Sequence, residues 1–234
     1  MGHKKLIRFE EIKTFPNVLI FPEQMKGRWA SHFGRSAPLT LELACGKGEY
    51  TLALARRFPE RNFVGVDIKG NRIWKGAKTA LTEKQTNVAF LRIQIDHIDA
   101  YFAPGAVSDI WITFPDPFLR TSKAKKRLTH LKFLHLYQRI LRPEGRIHLK
   151  TDSPDLYQFT REVIAETGCV LHRDVPDVYQ APPEELLRIQ TYYEGLHLAD
   201  GRTIRYLEFA LPDQLPPFPV PTQQTLTEPP VPEG

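Results

Sequence analysis

From Pro38 onward, short runs rich in β-branched and other apolar residues alternate with stretches whose apolar positions recur at helical spacing. The pattern predicts strands over 39–43, 62–68, 88–93, 107–113 and 145–151. Between them it predicts helices over 50–58, 73–82, 128–141 and 156–166. Arg142-Pro143-Glu144-Gly145 reads as a break between the third of these helices and the last of these strands. Such alternation implies an α/β fold, a parallel sheet with helices on both faces. After Gly168, two further strands over 169–174 and 203–211 flank a proline-containing stretch at 176–188, which suits a late pair at one sheet edge.

The flanks look different. Residues 1–37 mix basic and aromatic side chains with Pro16 and Pro22 and show little periodicity, so they read as an N-terminal arm to a domain spanning 38–211. Residues 212–234 hold eight of the chain's 20 prolines, too many missing amide donors for a ladder or helix, and a disordered or loosely attached tail is expected. There is no long apolar run, and Met1-Gly2-His3-Lys4-Lys5 does not lead into an apolar signal segment, so a cytoplasmic protein without a membrane partner is expected. Cys45 and Cys169 lack metal-type spacing, and neither a disulfide framework nor a metal site is expected.

Charge changes the picture only locally. Lysine and arginine number 32 against 27 acidic residues, and the densest basic cluster falls at 120–127. Such a run is either a solvated loop or a grip on a polyanion.

Two loops carry candidate chemistry. Leu41-Glu42-Leu43-Ala44-Cys45-Gly46-Lys47-Gly48-Glu49-Tyr50 places a glycine-rich turn between the first strand and first helix of the domain, at the sheet edge where open α/β folds bind ligands. Gly46 and Gly48 allow close backbone approach, although an ordinary tight turn would use them too. Thr51 occupies the place of the third glycine of a dinucleotide fingerprint, which weakens that reading. Asp67 ends the next strand, where a carboxylate can accept both ribose hydroxyls or merely cap a helix. An adenosine without a pyrophosphate is implied, and S-adenosylmethionine meets that description. Glu42 is an unusual residue for a buried strand end unless its charge serves a cation, either the sulfonium ligand or a neighbour such as Lys47. The second loop, Phe114-Pro115-Asp116-Pro117-Phe118, ends the fourth strand of the domain with an acid braced between prolines, a rigid presentation that suits chemistry but also a plain turn.

With E-L-A-C-G-K-G-E-Y at the turn, F-P-D-P-F followed by K-K-R-L-T, K-T-D at 150–152 and T-Y-Y-E at 191–194, the chain resembles the bacterial tRNA (guanine-N7-)-methyltransferase family over roughly 38–210. The resemblance implies a Rossmann-like S-adenosylmethionine-dependent methyltransferase fold with a mostly parallel seven-stranded sheet. It implies methylation of guanine N7 in the variable loop of tRNA; the sequence leaves a monomer or a homodimer open. It places Glu42, Gly46, Gly48, Asp67, Gln94 and Asp116 around the methyl donor, with Asp116 catalytic. Arg120, Asp152, Thr191, Tyr192, Tyr193 and Glu194 would contact substrate, and Ser122, Lys123, Ala124, Lys125, Lys126 and Arg127 would face RNA.

The chain departs from the family pattern at four places. Gln94 stands where an aspartate is usual, Ala44 for glycine, Phe118 for tryptophan and Arg120 for lysine. From the residues alone, Asp152 could instead cap the helix beginning near Pro154, and the two tyrosines could be packing aromatics. Rival functions are a small-molecule methyltransferase, which leaves the basic loop beside Asp116 unexplained, and a non-catalytic RNA-binding protein of the same fold.

Overall fold

A computed structural model of the chain describes residues 2–218; the remainder of the proline-rich tail, 219–234, lies outside the described residues, as does the expectation of disorder there. The strands are β1 (Val18–Ile20), β2 (Leu39–Leu43), β3 (Asn62–Asp67), β4 (Val88–Arg92), β5 (Val107–Thr113), β6 (Leu141–Thr151), β7 (Val170–Val175) and β8 (Arg205–Ala210). They form one eight-stranded sheet in the order β1-β4-β3-β2-β5-β6-β8-β7. Strands β1 to β6 pair in parallel, and β8 runs antiparallel between β6 and β7.

Every residue of β2, β3 and β4 is buried, because helices cover both faces. That is why these strands read as apolar runs rather than alternations. The helices are α1 (Gly2–Glu11), α2 (Trp29–Phe33), α3 (Glu49–Arg57), α4 (Gly70–Thr82), α5 (Leu131–Gln138), α6 (Pro154–Thr167) and α7 (Tyr192–Ala199). From β2 the chain winds outward through β3 and β4, then returns to the other side of β2 with β5. The strand order therefore reverses between β2 and β5, and a crevice opens at their carboxyl ends. The glycine turn leaves β2 and the proline-flanked loop leaves β5, so the topology alone sets them side by side.

Four expectations need correction. The implied seven strands become eight because the N-terminal segment supplies β1, whose Val18, Leu19 and Ile20 register with Phe90, Leu91 and Arg92. That segment is also anchored beyond the sheet: Ile12 is buried, and Trp29 stacks on Phe102 and donates from Nε1 to the Tyr101 carbonyl at 2.9 Å. The break at 142–145 is instead a bulge inside β6, where the register on β5 jumps from Val107↔Leu141 to Asp109↔Arg146. The expected helix shortens at both ends to α5, and the last residue expected in it, Leu141, opens β6. The start of the tail is tied down rather than loose, since Leu215 is buried and Gln138 and His135 hydrogen-bond the carbonyls of Pro212 and Pro216. Finally, α7 was not anticipated between the last two strands.

Among the described residues, no helix is long and apolar enough to cross a membrane, and no group of three or more His, Cys, Asp or Glu side chains is arranged to hold a metal ion.

Candidate active site

The crevice is a cleft of about 980 Å³. One wall comes from the ends of β2, β3 and β4, with Ala44, Asp67 and Gln94; the other carries Phe114, Pro115 and Asp116, followed by Lys125 and Lys126. Ile68, Ile93, Ile95, Phe133 and Leu136 give it an apolar lining.

The glycine turn is built from within. Gly46 adopts φ +56° and donates its N–H to Asp67 Oδ2 at 2.9 Å, while Asp67 Oδ1 accepts from Lys69 N at 2.8 Å. Two backbone donors thus orient the Asp67 carboxylate and leave each oxygen a further lone pair for the cleft. Asp67 does not cap α4, whose N-cap is Lys69; it braces the turns on either side and keeps its outer lone pairs. Gly48 has φ +67°, and a Cβ there would overlap the Phe90 ring, which also lies against Gly65 and Gly76. The glycine at 48 therefore serves close packing beneath the turn. Ala44, where the family pattern has glycine, holds a left-handed φ of +54°.

Glu42 points inward and takes no part in lining the cleft. Its Oε2 accepts from Thr51 N at 2.8 Å and from Thr51 Oγ1, and its Oε1 accepts from Thr113 Oγ1 at 2.7 Å. The carboxyl so joins β2, α3 and β5 below the ligand cleft. Burial pushes its pKa up from 4.5 to about 7, against the pull of the Thr51 and Thr113 hydrogen bonds. Lys47, the alternative partner, reaches the other way: its Nζ lies 4.3 Å from the Tyr192 ring centroid and 5.7 Å from that of Tyr193.

Asp116 is exposed on the opposite wall and accepts one hydrogen bond, from Phe118 N to Oδ1 at 3.0 Å. Its loop is stiff for backbone reasons. Pro115 and Pro117 fix their own dihedrals, and Phe114 and Phe118 hold left-handed φ values of +48° and +43°. Beyond it, a short 3-10 turn over Thr121–Lys126 exposes Ser122, Lys123, Lys125 and Lys126, with Ala124 half-buried. None of these lysines, nor the exposed Arg120, has a carboxylate partner among the described residues. Arg127 departs from the expected RNA-facing set: it is 8% exposed, and its guanidinium is taken up by the carbonyls of Pro117 and Phe118.

A second group gathers beside the glycine turn rather than inside the cleft. Thr191 caps α7 by accepting from Glu194 N at 3.1 Å, and Glu49 Oε2 accepts from Tyr192 N at 2.7 Å. Tyr192 and Tyr193 are exposed, so they are not packing aromatics. Asp152 does not cap α6, a role that Ser153 fills; it pairs with Arg202 at 2.8 Å and lies 3.7 Å from His197. Glu194 is fully buried in an ion pair with Lys150 at 2.7 Å and accepts from the Tyr179 hydroxyl at 2.8 Å, while its Oε2 has no hydrogen-bond partner among the described residues. Lys150 also donates to the carbonyls of Leu187 and Ile189, and burial pushes its pKa down while Glu194 holds it up. Lys150 was named only within the K-T-D motif and given no role, though a charge in an apolar strand is the signal that drew attention to Glu42. Lys69 and Arg72, also unanticipated, line the cleft next to Asp67.

Comparison with known proteins adds independent findings. The methyltransferase family model Methyltransf_4 matches residues 36–207. A tRNA (guanine-N(7)-)-methyltransferase of Porphyromonas gingivalis is 47% identical over 213 residues, covering 86% of each chain. Its namesake from Christiangramia forsetii is 44% identical over 225 residues, covering 90% of this chain and all of that one. Among solved structures, the 16S rRNA methyltransferase KamB superposes with a TM-score of 0.61 at 16% identity, covering 80% of this chain and 94% of that chain, a likeness of fold.

Proposed function

The chain belongs to the tRNA (guanine-N7-)-methyltransferase family, and from that premise we propose that it transfers the methyl group of S-adenosylmethionine to N7 of a guanine in the variable loop of tRNA, in the cytoplasm. The observation that carries this reading is the cleft at the strand reversal, with an oriented ribose-type acceptor, Asp67, on one wall and, on the other, Asp116 beside lysines that have no carboxylate partner among the described residues.

The residues suit the donor. Asp67 keeps free lone pairs where a ribose diol would lie, the isoleucines and Phe133 offer a flat apolar berth for a purine, and Gln94 offers both a donor and an acceptor to its edge. Glu42 acts from beneath through its field and by holding the turn, and Gly46 and Gly48 shape that turn. S-adenosylmethionine supplies an electrophilic methyl group.

Guanine N7 carries a free lone pair, so no side chain has to remove a proton before transfer. The protein's task is alignment, for which proximity and orientation can contribute roughly 7–11 kcal/mol. Asp116 accepts hydrogen bonds from the N1–H and amino edge of the guanine and faces the positive charge that spreads over the purine as the methyl group arrives. Asp152 assists once Arg202 gives way, while Arg120, Thr191, Tyr192 and Tyr193 frame the nucleotide; Glu194, buried against Lys150, supports α7 from behind and does not itself touch the substrate. Ser122, Lys123, Ala124, Lys125 and Lys126 hold phosphates, a contact that weakens as salt rises.

The test is incubation with labelled donor and unmodified tRNA, followed by mapping of the modified nucleotide. The expected product is N7-methylguanine in the variable loop. Label on another base, or on a small molecule in place of tRNA, would overturn the proposal.

A further inference from the structure

We propose that Arg127, the last residue of the basic run, is a positioning residue for Asp116 and not a phosphate contact. The proposal rests on the role given to Asp116 above. Arg127 Nε donates to the Pro117 carbonyl at 3.0 Å and Nη2 to the Phe118 carbonyl at 3.1 Å. These are the two residues that follow Asp116, so one rigid fork spans the carboxyl side of the acid's own turn. Phe118 is held there at a left-handed φ of +43°, a conformation that persists only where its surroundings enforce it.

The other side of the guanidinium is fixed to the body of the protein. Arg127 Cζ lies 4.4 Å from the centroid of Phe159 on α6. The following residues are anchored too: the Tyr137 hydroxyl donates to the Leu128 carbonyl at 3.0 Å, and Thr129 pairs with Thr160 at 2.7 Å. A buried guanidinium without a carboxylate is costly, and the two carbonyls and the ring are what offset that cost here. Its neighbours Lys125 and Lys126 are exposed and line the cleft. The basic run is therefore divided, with its outer lysines free for phosphate and its inner arginine clamping the catalytic loop.

Lysine discriminates the two roles. At a phosphate contact a point ammonium replaces a guanidinium with modest loss, whereas it cannot span two carbonyls in a fixed plane. The experiment compares Arg127→Lys with the double variant Lys125→Ala/Lys126→Ala in the full chain, using S-adenosylmethionine and unmodified tRNA. For Arg127→Lys the expected result is a kcat lowered about 10- to 100-fold, with the tRNA KM, the salt dependence of tRNA binding and the donor Kd unchanged. The double variant raises the tRNA KM and flattens the log–log salt slope by about 1.5.

An Arg127→Lys protein with wild-type kcat, or with a raised KM and a flatter salt slope instead, overturns the proposal. Should Arg127→Lys not fold, Phe159→Leu loosens the clamp while keeping the apolar contact; the same fall confined to kcat is expected, and an unchanged kcat overturns the proposal. Wild-type turnover by Asp116→Asn would instead defeat the reading of the site, whatever Arg127→Lys does.

Discussion

On one wall of the cleft, the protein itself orients the acids: Asp67 accepts from two backbone N–H groups and keeps a lone pair on each oxygen, and Glu42, beneath the wall, accepts from a backbone N–H and two hydroxyls. On the other wall, among the described residues, Asp116 accepts a single bond, from its own turn, and stands exposed, and the lysines beyond it have no carboxylate partner. Both walls are rigid, but by different means. The wall proposed for the donor is organised by hydrogen bonds to Asp67 and, beneath it, to Glu42, which suits a small ligand of constant shape. The acceptor side is organised through the backbone, by prolines and left-handed residues, leaving its charges free to meet a polymer. Preorganisation can thus be placed in the side chain or in the chain that carries it.

The comparison breaks first at Asp116. Asp116→Asn keeps an oxygen for the Phe118 N–H and removes only the charge, so stability should hold while kcat falls roughly 100- to 1000-fold, as for loss of one preorganised electrostatic contact. Thermal melting and single-turnover methylation read the two quantities separately. Near-wild-type turnover would mean that the free acid on this wall is not where charge develops. The donor wall should fail in the opposite way. Gly48→Ala forces a Cβ into the Phe90 ring at a left-handed φ, which should cost about 2–4 kcal/mol of stability and lower Tm by roughly 5–15 °C. An unshifted melting curve would show that the turn is not packed as described.

The same contrast explains what could be read in the sequence. Strands β2 to β5 were legible because nearly all their residues are buried, and the glycine turn and proline-flanked acid were legible because backbone constraint leaves a residue-type signature. β1 was not, since it is three residues long and all of them are only partly buried. α7 was hidden by inverted polarity: its one buried side chain is Glu194, while Tyr192, Tyr193 and Leu196 are exposed. It is fixed to the sheet by the Lys150 pair across the fold, a tertiary contact with no local pattern. Arg127 misled for a related reason. A run of basic residues looks uniform in sequence, and only the packing of Phe159 and the nearby carbonyls separates one member from the rest.

Glu42 sharpens the picture of the donor wall through pH. Its folded pKa of about 7 lies above the ordinary 4.5, with burial the main cause, so the folded protein holds the proton more tightly than the unfolded chain does. The resulting stabilisation is fully present below about pH 4.5 and is lost as pH rises through about 7. Up to about 3 kcal/mol is at stake, since each pKa unit corresponds to about 1.4 kcal/mol. Glu42→Gln can donate to Thr113 Oγ1 and accept from Thr51, so it should remove this slope and leave a flatter stability profile between pH 5 and pH 8. Denaturant titrations across that range decide the matter: a slope identical to that of the parent protein would assign the pH dependence elsewhere.

The smallest effect lies at Ala44, where the two walls come closest to sharing a device. Ala44 is a left-handed residue on the donor wall, as Phe114 and Phe118 are on the acceptor wall, yet a glycine would occupy the same φ without steric cost. Relief of the left-handed strain contributes about 1–2 kcal/mol, and the added freedom of glycine in the unfolded chain takes back about 0.4–1 kcal/mol. Ala44→Gly should therefore stabilise the protein by roughly 0.5–1 kcal/mol and raise Tm by a few degrees at most, with kcat unchanged because the turn is held by Gly46, Asp67 and Glu42 rather than by Ala44. If Ala44→Gly lowers Tm, the methyl group contributes packing at the cleft floor that outweighs its strain, and the donor wall depends on side-chain contact at this position as well as on hydrogen bonds.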